Sequence, residues 1–252
     1  MNISLEAVPR DRDTLVNLAK AAHAFPAINL VNVPDLLRFS IRSWEGCRII
    51  RDTGREEGLL SLSTMPHIRA IDFDINETFP LINYFLSHDI GRVLIIAGDT
   101  PGDGPRHKTY STETTALIKK IRAEMPNLKI YAAFDPYRTN IRYELDYLQA
   151  KEEAGAEGFF SQPFFDLRLI EIYSEYLEGR NIYWGITPVL SAASRNYWES
   201  RNRAIFPRSF KPDLFWNVDF GRRVLDFCRD RGFNLCLMPI RVNLEAYLKG
   251  LF

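Results

Sequence analysis

Apolar residues in this chain come in short runs, separated by stretches whose apolar positions fall three and four apart. Ile3-Ser4-Leu5-Glu6-Ala7-Val8 alternates with period two and stops at Pro9, which predicts a strand with Glu6 at or near its end. Arg12 to His23 carries Leu15, Leu18 and Ala19 at helical spacing, and Pro26 to Val31 reads as a second strand. Further strands are expected at Thr64–Ile68, Arg92–Ala97, Leu128–Phe134, Gly158–Ser161, Ile182–Ile186 and Asn234–Met238. Helices are expected at Thr78–His88, Thr112–Met125, in the segment before Gly155, at Asp166–Leu177 and at Gly221–Arg231, with an irregular aromatic-rich insertion around Tyr197–Phe215. Arg92–Ala97 is almost wholly apolar, as befits a strand covered on both faces. Eight strands alternating with helices predict an α/β fold, a single (β/α)8 TIM-type barrel over residues 1–252, with a doubly wound open sheet as the alternative.

In such barrels the site occupies the C-terminal ends of the strands. Those ends carry Glu6, Asn32, His67 with Arg69, Asp99, Asp135 with Arg138, Gln162, Thr187 and Arg241, a polar ring from elements far apart in sequence. The stretch Ala154–Asp166 concentrates the pattern: a glycine-marked helix end, a short apolar strand, then Gln162 before a proline and an aromatic pair, which suits a loop that meets a planar ligand.

Composition narrows the function classes. The chain is 46% hydrophobic and 25% charged with a formal net charge of zero, so nothing calls for nucleic acid or a membrane surface as partner. No apolar run approaches the ~20 residues of a membrane span, and the start has no signal-peptide core, so a cytoplasmic address is expected. Cys47, Cys228 and Cys236 have no zinc spacing, and no metal is expected. The aromatic pairs Tyr197-Trp198 and Phe215-Trp216 suit core packing first and a subunit interface second, which leaves a homo-oligomer open.

Five segments, in order, resemble the methylenetetrahydrofolate reductase family: Pro66-His67-Ile68 its P-H-L, Gly98-Asp99-Thr100-Pro101 its G-D-x-P, Lys151 to Gln162 with Phe164-Phe165-Asp166 its K-x-x-A-G-A…T-Q-x-F-F-D, and Gly185-Ile186-Thr187-Pro188-Val189 its G-I-x-P-V, preceded by Ile3-Ser4-Leu5-Glu6. The resemblance implies a flavin-containing barrel that reduces 5,10-methylenetetrahydrofolate to 5-methyltetrahydrofolate in one-carbon metabolism and methionine biosynthesis, using FAD and NADH or NADPH as electron donor. By position it implies Glu6 as general acid and Asp99 between flavin and pterin. His67, Gly98, Asp99, Tyr110, Glu144 and Lys151 fall at cofactor contacts, and Gln162 and Arg241 at folate contacts. From the residues themselves, Glu144 and Lys151, seven apart, equally make a solvated helix face.

The departures bear on the cofactor. Ala97 stands where the family carries an arginine, and the Asp135-Pro136-Tyr137-Arg138 loop looks about three residues shorter than its counterpart, so FAD is expected to bind weakly or not at all. Arg69 replaces a small polar residue. Asn32–Trp44 has no counterpart; were it a helix facing the site, Arg38 and Arg42 would supply the missing charge. Two rival readings follow: direct hydride transfer from NADH without flavin, or a non-reducing folate- or partner-binding barrel in a methyl-transfer assembly.

Overall fold

The computed structural model describes residues 1–58, 62–99 and 107–252. Its eight strands are β1 (Ile3–Glu6), β2 (Ile28–Val33), β3 (Ser63–Arg69), β4 (Arg92–Ile96), β5 (Lys129–Phe134), β6 (Gly158–Pro163), β7 (Ile182–Ile186) and β8 (Asn234–Leu237). They form a closed barrel in sequence order, every neighbouring pair parallel, with β1 against β8 completing the ring. The (β/α)8 expectation holds, and the open-sheet alternative does not.

Period-two alternation explains how the barrel is filled. Leu30, Met65, Leu94, Tyr131, Phe160, Tyr183 and Cys236 make one apolar cluster from strands all round the ring. Phe160 and Tyr183 are stacked at 4.1 Å, with Tyr131 edge-on to both. The alternate positions, including Leu5, Val31, Ile95, Ala132, Phe159, Trp184 and Leu235, belong instead to the larger core shared with the helices. One step of two residues beyond the inner layer stand Asn32, His67, Ile96, Ala133, Gln162, Gly185 and Met238, with Glu6 in the same position above Ser4 on β1. A polar rim therefore caps an apolar plug. Gly185 belongs to this layer for want of room: a Cβ there would lie 2.5 Å from the Ser161 carbonyl oxygen.

The helices that cover the barrel include α1 (Arg12–His23), α2 (Ser43–Glu56), α3 (Ile82–Ser87), α4 (Thr114–Glu124), α5 (Ile141–Glu153), α6 (Leu167–Tyr176), α7 (Ala192–Asn202), α8 (Leu214–Arg231) and α9 (Leu244–Leu251). Asp11, Asn140, Asp166 and Asp213 cap α1, α5, α6 and α8 by accepting from backbone N–H groups in the first turn. Three sequence expectations need correction. The condition under which Arg38 and Arg42 would share a helix face is not met: β2 runs to Val33, residues 34–42 are a loop, and α2 begins at Ser43. The aromatic insertion keeps an irregular middle over residues 203–213, but its two ends are helical, since α7 runs to Asn202 and α8 starts at Leu214 rather than Gly221. Helix α3 is also shorter than expected and does not begin until Ile82. Among the described residues, no helix is long and apolar enough to cross a membrane.

Candidate active site

The polar rim opens into a cavity of about 580 Å³ at the C-terminal mouth of the barrel. Its lining draws Glu6 from β1, Asn32 from β2, His67 and Arg69 from β3, and Gly98 and Asp99 from the end of β4. Asp135 and Arg138 come from the loop after β5, Lys151 from α5 and Gln162 from β6. Most of the ring expected from strand ends is thus in one place. Thr187 is not among the lining residues; it is buried and donates to the Met238 carbonyl at 2.7 Å, tying the end of β7 to β8. Arg241 is exposed, in the left-handed region at φ 54°, and does not line the cavity.

Glu6 has the most unusual electrostatics of the group. Burial at the barrel mouth pushes its carboxyl up to about 7, and no nearby cation or hydrogen-bond donor offsets the effect among the described residues. His67 is displaced the other way by the same cause, down to about 3, so the imidazole is neutral at physiological pH. Its tautomer follows from a buried chain. Asn32 Nδ2 donates to Ser4 Oγ at 2.8 Å, so Asn32 Oδ1 accepts from His67 Nε2–H at 2.8 Å and Nδ1 is left as an acceptor.

Gly98 and Asp99 are held by Arg69. The Arg69 guanidinium donates to the Asp99 carbonyl at 2.6 Å and lies 3.5 Å from Asp72 Oδ1. Gly98 has φ +89°, and a Cβ on it would meet Ile71 and Arg69 at 2.9–3.1 Å, so both conformation and space require glycine. Thr100 and Pro101 of the same motif lie outside the described residues.

Glu144 and Lys151 both turn inward, so the solvated-face reading is wrong for this helix: their exposures are 0% and 2%. Glu144 does not line the cavity. It accepts from Arg138 Nη2 through both oxygens, at 3.0 and 2.9 Å, and from the Asp135 backbone N–H at 3.0 Å, so it braces the loop after β5. Lys151 donates to the Ala133 carbonyl at 2.6 Å and stands 3.9 Å above the Tyr147 ring; burial lowers its ammonium to about 8 despite the Glu144 charge. Tyr110 does not line the cavity, and its backbone N–H donates to the Ile71 carbonyl.

Strand-end reasoning did not reach Asp35, Leu36, Leu37, Tyr147 or Trp198, which complete the lining from loops and helices. The helical spacing of Tyr147 and Lys151, four apart on α5, was the available signal for Tyr147. A second cavity of about 660 Å³ lies between α6 and α8, lined by Arg168, Trp216, Phe220 and Arg223 among others, and contains none of the predicted site residues. No cluster of metal-ligating side chains occurs among the described residues.

Solved structures match the architecture at low sequence identity. 2,3-Dimethylmalate lyase and oxaloacetate acetylhydrolase superpose with TM-scores of 0.58 and 0.59 at 9% identity, each covering 98% of this chain and 78% of its own, which supports the fold alone. Sequence relatives are more specific. The 5,10-methylenetetrahydrofolate reductase of Buchnera aphidicola subsp. Schizaphis graminum is 26% identical over 42% of this chain and 36% of its own length. That of Buchnera aphidicola subsp. Acyrthosiphon pisum is 24% identical over 62% and 54%, and that of Escherichia coli strain K12 is 24% identical over 42% and 36%. The matched segments thus span between about a third and a half of these relatives. The model of the family described as methylenetetrahydrofolate reductase, by contrast, matches residues 1–239, a span that contains all eight strands and, among the described residues, every one lining the mouth except Ile240, and the chain belongs to that family.

Proposed function

We propose that this barrel reduces 5,10-methylenetetrahydrofolate to 5-methyltetrahydrofolate with electrons from a reduced nicotinamide nucleotide by way of FAD. The observation that carries the reading is Glu6, a carboxyl with a pKa of about 7 at the floor of a cavity that also holds Asp99 and Gln162. Reduction of the methylene bridge begins with its opening, and the departing nitrogen needs a proton. A carboxyl still half protonated near neutrality supplies one where an ordinary glutamate, ionised above about 4.3, does not. Asp99 offers two acceptor oxygens to the amino and ring N–H groups of a pterin, and Gln162 an amide that both donates and accepts.

A planar dinucleotide suits the same cavity. Its volume lies within the ~300–1,000 Å³ usual for small-molecule sites, and its wall combines Leu94, Ile96, Ala97 and Phe160 with a few polar groups. His67 and Gly98 would hold such a cofactor by hydrogen bonding and close backbone approach, and Lys151 by its charge. Bound FAD would supply the hydride chemistry. The protein's part is to orient the folate, keep His67 neutral and deliver the proton from Glu6. Arg138 and Lys151 already have acceptors within the protein, at Glu144 and the Ala133 carbonyl. That favours a loosely held flavin, or direct hydride transfer from NADH as the second reading.

The test is anaerobic NADH oxidation dependent on methylenetetrahydrofolate, with and without added FAD, alongside fluorescence titration of FAD. Turnover that requires FAD supports the first reading. Folate-dependent turnover with no saturable FAD binding at high micromolar concentration transfers support to direct hydride transfer. A folate-binding protein with no turnover under either condition sinks both.

A further inference from the structure

Loop 34–42 forms one side of the cavity mouth, and it is built to keep its shape. Asp35, 4% exposed, accepts from Arg42 Nε at 3.0 Å and Nη2 at 2.5 Å and from the Ser43 backbone N–H at 3.1 Å. Arg42 also reaches Asp72 at 3.2 Å and lies over the Trp44 ring at 4.6 Å, while the Phe39 N–H donates to the Leu36 carbonyl at 2.9 Å. The two arginines of this segment therefore have different uses. Arg42 pins the loop, and Arg38 is presented at the cavity.

Among the described residues four basic side chains line the cavity: Arg38, Arg69, Arg138 and Lys151. Three have acceptors in the protein, at the Asp99 carbonyl, the Glu144 carboxylate and the Ala133 carbonyl respectively. Among the described residues Arg38 has no carboxylate or carbonyl acceptor, and its guanidinium stands 5.0 Å from the ring centroid of Phe39 beside it. A ligand oxyanion that approached Arg138 would compete with a fully buried carboxylate that needs its cation. Arg38 can bind one through a two-pronged, charge-assisted contact without giving up an existing pair.

We propose that Arg38 recognises the anionic tail of the planar ligand in this cavity. The shared chemistry is an oxyanion: the diphosphate of a dinucleotide or the glutamyl carboxylate of a folate. This assignment rests on the function proposed above. The experiment uses the full chain as wild type, Arg38→Ala and Arg38→Lys, titrated with FAD and riboflavin and with 5-methyltetrahydrofolate and its pteroyl amide, in which a neutral carboxamide replaces the glutamate. Arg38→Ala should weaken one of the two charged ligands by about tenfold or more, and Arg38→Lys should recover part of the loss. The ligand affected identifies the anion. Its uncharged counterpart should be unchanged, and the salt dependence of the affected affinity should flatten in Arg38→Ala because one charge contact is gone. Unchanged affinity for both charged ligands overturns the assignment while leaving the reductase reading intact. So does a loss with the wild-type salt dependence retained, because that is packing rather than charge. A wild-type protein that binds neither ligand overturns the reductase reading, and this assignment with it.

Discussion

Glu6 and His67 show one physical cause producing two chemical states. Burial disfavours charge on both, so the carboxyl retains a proton to about pH 7 and the imidazole stays neutral down to about pH 3. A proton donor and a neutral acceptor then share one cavity. Replacing Glu6 with Gln should leave folate binding in place and lower turnover by about 10²-fold or more, with loss of the limb in which wild-type activity falls as pH rises through about 7. Wild-type turnover in the variant would remove Glu6 from the chemistry. The same shift bears on stability. Glu6 binds its proton more tightly in the folded state than in the unfolded chain, so its contribution is fully present below about pH 4.5 and is lost as pH rises through about 7. Glu6→Gln should therefore be more stable than wild type by about 2–3 kcal/mol at pH 8 and show little difference at pH 4. Urea unfolding at the two pH values measures this, and equal differences at both would show that the carboxyl is not strained by burial.

At the scale of elements, the site depends on pieces that look unlike site-builders in the sequence. Arg38 and Arg42 would share a face only if Asn32–Trp44 were a helix; with residues 34–42 a loop, the segment gives Arg42 to two buried carboxylates, Asp35 and Asp72, whose side chains are 1% and 3% exposed. Arg42→Ala would leave both without their strongest partner. The expected cost is about 2–4 kcal/mol, at or below the range for breaking a buried pair because Arg42 itself is partly solvated. Equilibrium unfolding would read it, and a loss under about 0.5 kcal/mol would show that Arg69 and water suffice for Asp72. Helix α2, which follows directly, was hard to see for a related reason. Its buried face joins Ile49 and Ile50 to Ser43, Gly46, Cys47 and Thr53, small residues that let it lie against the barrel and leave only two large apolar side chains to mark the face. Space is tight at that face, where a Cβ on Gly46 would come within 3.0 Å of Val33. Helix α8 starts earlier than its sequence pattern suggests because Phe215, 85% exposed, interrupts the polar face of its first turns, although Asp213 caps that end by accepting from the Trp216 N–H at 2.7 Å.

The whole molecule was more legible than its parts, because strand alternation and a closed ring leave little freedom. Once eight parallel strands surround one axis, the inward residue above the apolar layer must face the mouth, which is why Glu6, Asn32, His67 and Gln162 could be gathered from strand ends alone. Arg241 and Thr187 failed that reasoning because one sits on an exposed left-handed turn and the other spends its hydroxyl on the strand beside it. Tyr147 and Trp198 reach the mouth from helices, whose rotation about their own axes is set by packing across the whole barrel and not by local pattern.

The closed ring also makes ligand binding a global property, since a folate held at strand ends of one barrel stabilises every strand pair that must open on unfolding. At a free ligand concentration 100 times Kd the stabilisation is about 2.7 kcal/mol, and for a chain of this length each kcal/mol raises Tm by about 2–4 °C. Wild type saturated with 5-methyltetrahydrofolate should therefore melt about 5–10 °C higher than without it. Gln162 is at the exposed end of β6, past the stacked Phe160, so removing its amide opens no cavity in the core. Gln162→Ala should keep the unliganded Tm within about 2 °C, because substitutions away from core and network features cost little. At the same folate concentration it should lose much of the ligand-induced rise, as Kd increases by about 1–3 kcal/mol for a buried contact left unmade. FAD provides the internal control, because the amide is assigned to the pterin and not to the dinucleotide. A folate-induced rise equal to wild type would take Gln162 out of the folate site, and an equal loss of the folate and FAD responses would show that the substitution deforms the mouth instead of deleting one contact.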